Sequence, residues 1–255
     1  MRLTVVGCSG SAPGAASPAS CYLVEADDAD GRTWRVALDL GSGALGPLQR
    51  YADPRLLDAI LISHSHADHC ADLAVMDVYL KYHPDGEASV PVHGPFGLGG
   101  RIAELRGVAE TTAALPVTAW QPGAPVTVGP LTVTCAAVAH PVPAYAMRLT
   151  GPSESGGEAT LVYSGDTDVC DGLAELAWGA DLFLCEASFL EEEDGPRGLH
   201  LTGARAGAVA QEASVGRLLL THVPPWTDPN AIVAEAAEQF TGPLQAAHPG
   251  LRRSL

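Results

Sequence analysis

The sequence predicts a mixed α/β or α+β fold organised as a single domain over residues 1–255. Short apolar and β-branched runs recur along the chain and predict strands, and helical stretches lie between several of them. A chain of 255 residues of which 47% are hydrophobic can bury its own core. We find no internal repeat and no linker long enough to divide it.

The predicted strands are rich in Val, Ile, Leu and aromatic residues, which suit a pleated and partly buried backbone. They span residues 3–6, 21–24, 34–38, 59–62, 90–92, 126–128, 131–138, 144–149, 161–163, 182–184 and 218–220. The predicted helices between them span residues 71–81, 98–109, 173–177, 203–213 and 229–240. We expect Thr202 to cap the fourth helix, and Asp228, followed by Pro229, to cap the fifth.

Two polar runs predict loops. Residues 151–157 have the composition of a hairpin loop. The acidic run 191–196 predicts a solvated loop, and because it precedes His200 it is also a candidate border of the site described below.

Composition disfavours several classes of partner. The formal charge of −16, from 14 basic and 30 acidic residues, opposes binding to long nucleic acids. The apolar runs are far shorter than the roughly 20 residues needed to cross a bilayer, and the N-terminus enters a strand-like pattern without a signal-peptide core, so we expect neither a membrane partner nor export. The six cysteines are dispersed without a C-x-x-C pair, which favours reduced thiols and a cytoplasmic location.

Four metal-capable side chains lie within six residues directly after the apolar run 59–62, namely His64, His66, Asp68 and His69. Imidazole and carboxylate side chains at this density favour a site for a divalent cation of the zinc type. The alternative, a surface loop that happens to be rich in histidine, is less favoured. His64 and His66 project to one side of an extended backbone, and the other two follow where the chain turns, so one segment can serve two neighbouring ions. Cys70 comes next, but an isolated cysteine is more often a small buried apolar residue than a ligand.

Three further segments end an apolar strand with a polar group that suits a metal. They carry His140, Asp166 and His222. Ligands brought by separate strand ends to one edge of a sheet are held by a rigid scaffold. A single histidine at a strand end is more often a polar cap than a ligand, so His140 and His222 gain their weight from the whole set.

The H-x-H-x-D-H run, a histidine about 70 residues later, an S-G-D-T turn and a late L-T-H together resemble the metallo-β-lactamase-fold hydrolases over nearly the full chain. The resemblance implies a four-layer αββα sandwich with a two-metal site. It assigns the first ion to His64, His66 and His140, the second ion to Asp68, His69 and His222, and the bridge between them to Asp166. Asp39, in the run L-D-L-G, would orient a ligand histidine from behind.

Within that family the chain is most similar to the tRNase Z-like branch, through glycine-rich turns at 7–11 and 38–43 and through S-G-D-T, E-A-S-F and H-L-T motifs in the same order. The resemblance implies that Glu186 orients His200 and that His200 protonates the leaving oxygen. In the mechanism that we expect, Asp68 orients the attacking hydroxide and is also a ligand of the second ion. The long arm with which that branch grips tRNA has no room here, since only 25 residues separate His140 from Asp166.

These features predict a binuclear metal-dependent hydrolase, with phosphodiester hydrolysis by a hydroxide shared between two metals as the leading reaction. The expected substrate is a small phosphodiester or a short or cyclic nucleotide. Zinc is the favoured metal, and the same ligands accept manganese or iron. Relatives in this branch are often dimers, which leaves a homodimer open.

Three alternatives remain. Processing of tRNA 3′ ends would need a gripping element other than the arm. Thioester or lactam hydrolysis uses the same metal pair, but a bridging Asp166 is atypical of β-lactamases, and the 33 residues after His222 are too few for the helical substrate domain of glyoxalase-II-like thioesterases. A non-catalytic metal-binding protein would keep the fold, although a complete ligand set argues against it.

Overall fold

The computed structural model describes residues 1–191 and 196–255, so most of the predicted acidic run 191–196 lies outside the described residues. The strands are β1 (Arg2–Gly7), β2 (Cys21–Asp27), β3 (Thr33–Leu38), β4 (Ala59–Leu61), β5 (Val92–Gly94), β6 (Val117–Ala119), β7 (Val126–Val128), β8 (Leu131–Ala137), β9 (Tyr145–Pro152), β10 (Glu158–Tyr163), β11 (Leu182–Glu186), β12 (Leu218–Thr221), β13 (Leu244–Ala246) and β14 (Arg252–Ser254). The α-helices are α1 (Leu45–Leu48), α2 (Ala67–Cys70), α3 (Leu73–Tyr82), α4 (Leu98–Arg106), α5 (Asp171–Ala177), α6 (Gly203–Glu212) and α7 (Pro229–Ala237).

The strands form two seven-stranded sheets, in the orders β14-β1-β2-β3-β4-β5-β6 and β13-β12-β11-β10-β9-β8-β7. Strands β3 to β6 run parallel in the first sheet, and β10 to β13 run parallel in the second. The remaining neighbours are antiparallel, including the β9–β10 hairpin, whose loop lies within the predicted loop 151–157. The carboxyl ends of the parallel strands provide one edge at which polar residues from several strands can meet.

The alternation of side chains along each strand divides them between two faces. In β1, Leu3 and Val5 belong to the core between the sheets, whereas Val6 packs outward. The first sheet packs outward against α1, α3 and α4, and the second packs outward against α5, α6 and α7. The layers therefore follow the order helix, sheet, sheet, helix, which confirms the predicted αββα sandwich.

The helix boundaries confirm the predicted caps and correct several predicted ends, among them that of α7, which ends at Ala237 rather than at residue 240. Thr202 accepts a hydrogen bond from the Arg205 amide at 3.1 Å, and Asp228 accepts one from the Asn230 amide at 2.9 Å. The predicted helix 71–81 corresponds to α3, which spans Leu73–Tyr82, and a separate short helix, α2, precedes it where the chain turns at the metal-capable segment. Helix α4 ends at Arg106, three residues before the predicted end, because Gly107 adopts a left-handed φ of 68° that closes the helix.

The strand predictions missed three short elements and misplaced one. Strands β6, β13 and β14 have three residues each and lie at sheet edges, so they carry too few positions for a periodic pattern. The predicted strand 90–92 begins two residues later, as β5. No helix among the described residues is long and apolar enough to cross a membrane.

Candidate metal centre

The structure brings all seven predicted ligands together at the carboxyl edge of the sheets, in two groups that share one residue. The first group is His64, His66, His140 and Asp166, and the second is Asp68, His69, His222 and Asp166. Within each group the candidate ligand atoms all lie within 4.8 Å of one another. Four separate segments supply these residues, so the two groups exist only in the folded chain.

The segment after β4 folds in the two ways that its sequence predicted. His66 has an extended backbone, with φ −70° and ψ 151°, and α2 begins at the next residue. The amides of His69 and Cys70 both donate to the carbonyl oxygen of His66, which closes the first helical turn and turns His69 towards the second group. Cys70 lies outside both groups, and burial raises the pKa of its thiol to about 12, so it is a buried apolar residue rather than a ligand.

The first group consists of ring nitrogens that face one another. His64 Nε2 lies 3.0 Å and His140 Nε2 lies 3.2 Å from His66 Nδ1, and Asp166 Oδ2 lies 3.5 Å from His64 Nε2. A tetrahedral site with metal–nitrogen bonds of about 2.0–2.1 Å separates its ligand atoms by about 3.3 Å, so this set has the spacing that such a cation requires. Burial, reinforced by the nearby His69, holds the pKa of His64 well below 6.5 and keeps the imidazole in its neutral, ligating form.

The second group has the same spacing. His69 Nε2 lies 3.0 Å from His222 Nε2, and Asp68 Oδ2 lies 3.1 Å from His222 Nε2. All three side chains are buried or nearly so. Without a cation, the two ring nitrogens that face each other could share at most one proton. Two imidazoles and a carboxylate converging in this way are a donor set that fits a divalent metal.

Asp166 stands between the groups and offers one oxygen to each. Oδ2 faces His64 in the first group, while Oδ1 lies 3.1 Å from His69 Nε2 and 3.4 Å from His222 Nε2 in the second. Oδ1 is fully buried and receives no hydrogen bond from the described residues. Burial would raise the pKa of Asp166, but the surrounding histidines, His222 foremost, hold it well below its usual range. A buried carboxylate oxygen without a donor fits a site built to hold a cation.

Asp39 lies behind the second group, in contact with one of its histidines. Its Oδ2 accepts hydrogen bonds from His69 Nδ1 at 2.7 Å and from the Tyr163 hydroxyl at 2.7 Å. The Ser63 hydroxyl donates to the same oxygen at 2.8 Å, and the Ser63 amide donates to Oδ1 at 2.7 Å. The contact fixes the His69 ring so that Nε2 points at the second group.

Asp39→Ala is expected to weaken binding of the ion in the second group about 10–100-fold, because the His69 ring loses the acceptor that orients it. Competition with a chromophoric zinc chelator would measure this loss. Asp58→Ala is a matched control, since the Asp58 carboxylate accepts a hydrogen bond from the Arg35 amide at 2.8 Å at the opposite end of β4. Equal affinities in a folded Asp39 variant and in this control would contradict the assignment.

Strained backbone marks the same edge. Asp39 and His222, the residues directly after β3 and β12, both have a φ of 57°, a left-handed conformation that non-glycine residues seldom adopt. Gly165, directly before Asp166, also has a φ of 57°, and a Cβ there would lie 2.8 Å from the Cβ of Ser63. The turn that presents Asp166 therefore requires glycine.

Glu186 and His200 form a hydrogen-bonded pair beside Asp166. His200 Nδ1 donates to Glu186 Oε1 at 2.8 Å, and the same nitrogen lies 3.9 Å from Asp166 Oδ2. Burial alone would lower the pKa of His200, but the Glu186 carboxylate raises it from 6.5 to about 9. Glu186, His200 and His222 also lie close enough to hold an ion, but the Glu186–His200 bond occupies the facing atoms of that pair. Glu186 thus holds the imidazole by its Nδ1 and favours its protonated form.

Sequence reasoning missed the residues that support these groups. Ser188 Oγ lies 2.8 Å from His222 Nδ1 and donates to Glu186 Oε2 at 3.2 Å, so one hydroxyl joins the pair to the second group. The Leu199 carbonyl accepts a hydrogen bond from His140 Nδ1 at 2.9 Å. Nothing in the sequence around Tyr163 distinguishes it from an ordinary buried strand residue. Only the E-A-S-F motif offered a signal, and it pointed to Glu186 rather than to Ser188.

Several known proteins resemble this chain in sequence and in fold. Residues 35–223 match the family model described as the Beta-lactamase superfamily domain. An uncharacterized protein of Mycobacterium leprae is 46% identical, over 96% of this chain and 86% of that protein. The probable metallo-hydrolase YhfI of Bacillus subtilis is 33% identical over 98% of both chains, and its crystal structure aligns with a TM-score of 0.86 and 31% identity over 99% of each.

Two further comparisons concern proteins with named activities. A ribonuclease Z of Bradyrhizobium diazoefficiens is 29% identical, over 93% of this chain and 94% of that protein. The crystal structure of a diphosphatase from the PhnP family aligns over 100% of this chain and 97% of that chain, with a TM-score of 0.73. At 18% sequence identity this second likeness shows a common fold alone.

Proposed function

The chain belongs to the β-lactamase superfamily as a metallo-hydrolase, and from that premise we propose that it is a binuclear phosphodiesterase acting on a small phosphodiester or on a short or cyclic nucleotide. The observation that carries the proposal is the Glu186–His200 hydrogen bond, which holds the imidazole beside the carboxylate shared by the two groups. The ribonuclease Z named above acts on a phosphodiester, which supports the same substrate class.

The roles of the ligands follow from the two groups. His64, His66 and His140 would hold one cation and Asp68, His69 and His222 the other, with Asp166 between them, and zinc suits these donors while manganese and iron are compatible. Two bound divalent cations would acidify a water molecule and offset charge on the phosphoryl oxygens.

Asp68 serves a second purpose beside ligation. Its Oδ2 lies beside His222, and the side chain retains 11% exposure. It is therefore placed to accept a hydrogen bond from a water molecule at the mouth of the site and to aim that water at the substrate.

His200 distinguishes phosphodiester cleavage from thioester cleavage. The departing alkoxide of a phosphodiester needs a proton, whereas a thiolate, the conjugate base of a group with a pKa of about 8.5, leaves without one. Because Glu186 occupies Nδ1, the proton on Nε2 is available to the leaving oxygen. An imidazolium fixed in this way favours an oxygen leaving group.

The purified, metal-saturated protein tests the proposal against a panel of substrates. Cyclic nucleotides, short oligonucleotides, phosphocholine-type diesters and bis(p-nitrophenyl) phosphate represent phosphodiesters, and a glutathione thioester and a chromogenic β-lactam represent the alternatives. We expect turnover of one or more phosphodiesters and little turnover of the other two. Faster hydrolysis of the thioester or β-lactam, or two bound metals without turnover of any substrate, would refute the proposal.

The protonated state of His200 predicts an alkaline limb in the pH profile. Glu186 raises the pKa of His200 to about 9, so the imidazole is fully protonated at acidic pH and loses its proton as the pH rises through that value. Bound cations add positive charge and lower this pKa, so we expect kcat/KM for an alkyl phosphodiester to fall at or below about pH 9. A profile that keeps rising through pH 9, or a limb that survives in His200→Ala, would contradict this role.

Precursor tRNA is a second candidate because of the likeness to a ribonuclease Z. The residues between His140 and Asp166 are largely used by the β9–β10 hairpin, however, and the chain carries a charge of −16. We expect a dissociation constant of about 10⁻⁶ M or weaker at physiological salt, measured by filter binding. Nanomolar binding together with 3′-end cleavage would replace our proposal.

A further inference from the structure

We propose that Asp168 is a positioning residue that holds His200 and His140 in place through a single loop. The proposal rests on the proposed roles of those two histidines as general acid and metal ligand. Asp168 belongs to the described part of the turn after β10, two residues beyond Asp166, and its side chain is 4% exposed. No role follows for it from the ligand groups, since it belongs to neither of them.

The carboxylate of Asp168 binds the loop that carries His200. Oδ2 accepts hydrogen bonds from the Gly198 amide at 2.7 Å and from Arg197 Nε at 2.7 Å. Oδ1 accepts one from the Val169 amide at 2.7 Å, which fixes the orientation of the carboxylate itself. Each oxygen therefore has a backbone partner, and the contact to Gly198 joins two segments 30 residues apart in sequence.

Three consecutive residues of that loop make three separate contacts, one with Asp168 and two with residues of the site. Gly198 binds Asp168, the Leu199 carbonyl accepts from His140 Nδ1 at 2.9 Å, and His200 Nδ1 donates to Glu186 at 2.8 Å. The described residues 196–201 of this loop precede the cap of α6 and form neither a strand nor a helix. The position of the Leu199 carbonyl, and hence the ring of His140, depends on how Gly198 is held.

The backbone of the same turn binds the other side of the centre. The Asp168 amide donates to the carbonyl oxygen of Ala139 at 2.9 Å, directly before His140. The Thr167 amide donates to Glu186 Oε1 at 2.9 Å. The turn that contains Asp166 is thus hydrogen-bonded to Glu186 and to the strand end that carries His140. The Asp168 side chain, in turn, links this turn to the loop that carries His200.

Two arginine side chains lie close to the Asp168 carboxylate, so a negative charge is favoured at this position. Arg197 donates to it from the surface with 64% exposure, and Arg205 Nη1, on α6, lies 3.7 Å from Oδ1 with 14% exposure. Because Arg205 also donates to Glu191 at 3.0 Å, it is itself fixed. A carboxamide of similar size would keep one acceptor oxygen but would remove the negative charge that faces these two cations.

The test compares Asp168→Ala with Asp181→Ala. Asp181 is a matched control, since its carboxylate accepts a hydrogen bond from the Thr160 amide at 2.8 Å at the opposite end of β11. Zinc affinity is measured by chelator competition, and kcat is measured at metal saturation for an alkyl phosphodiester and a p-nitrophenyl phosphodiester. In Asp168→Ala we expect one of the two ions to bind about 10-fold or more weakly. We also expect kcat to fall about 10²-fold for the alkyl ester and only a few-fold for the p-nitrophenyl ester.

Each outcome bears on one proposal or the other. Asp168→Asn keeps the size of the side chain, and we expect it to fold and to give intermediate losses. Two zinc ions bound as tightly as in the control, or equal losses of kcat for both esters, would overturn the positioning role. If the unaltered protein hydrolyses no phosphodiester, the proposed function fails, whereas the zinc affinities still decide the role of Asp168 towards His140.

Discussion

Asp166→Ala is expected to reduce the bound metal from two ions per chain to one at most and to lower turnover about 10³-fold or more. Asp166 offers Oδ2 to the first group and Oδ1 to the second, so its loss removes a ligand from both at once. Two cations contribute several kcal/mol of transition-state stabilisation by offsetting charge, and each 1.36 kcal/mol corresponds to a factor of about ten in rate. The removal of any one histidine affects a single group.

Elemental analysis of the zinc-saturated, desalted variant measures the first effect, and turnover of bis(p-nitrophenyl) phosphate measures the second. Asp171→Ala is a suitable control, because Asp171 is an exposed residue in the first turn of α5, five positions further along the chain. It should bind two ions and retain full activity. An Asp166 variant that kept two tightly bound ions would show that the carboxylate is not shared between them.

The metal groups were predictable from the sequence because their chemistry is concentrated and local. His64, His66, Asp68 and His69 come from one short segment whose geometry depends on a strand end and one helical turn. His140, Asp166 and His222 each follow a strand that the sequence identified, and the carboxyl ends of such strands meet at one edge of a sheet. The four-layer sandwich and the division of the ligands into two groups came from the resemblance to the metallo-β-lactamase-fold hydrolases that these motifs carry.

The supporting contacts could not be predicted, because they join residues whose types carry no signal. The Leu199 carbonyl that holds His140 is a backbone atom of a loop, 59 positions away in sequence. Tyr163 contacts Asp39 across 124 positions, and its sequence context is that of any buried strand. Short edge strands such as β14 were missed for a related reason: their stability comes from pairing with β1 and not from an apolar pattern of their own.

His200→Ala is expected to retain both metals and to lose activity in a way that depends on the leaving group. His200 Nδ1 is bound to Glu186 and lies 3.9 Å from the nearest Asp166 oxygen, so the side chain is not needed to complete either metal group. An alkoxide leaving group needs a proton. Loss of the proton donor should therefore lower turnover of an alkyl phosphodiester about 10²–10⁴-fold. A p-nitrophenolate leaves without assistance, so the loss for that ester should be less than about ten-fold.

His66→Ala separates this effect from a general loss of the centre. His66 Nδ1 faces both His64 and His140, so its removal takes a ligand from the first group and should depress turnover of both esters together. Turnover of the two esters is measured in both variants, with the metal content of each determined on the same samples. For each variant, the loss for the alkyl ester is divided by the loss for the p-nitrophenyl ester. This ratio does not depend on the amount of active protein, and we expect it to be large for His200→Ala and close to one for His66→Ala. Equal losses for both esters in a His200 variant that holds two metals would exclude proton donation and leave His200 as a residue that only positions the substrate.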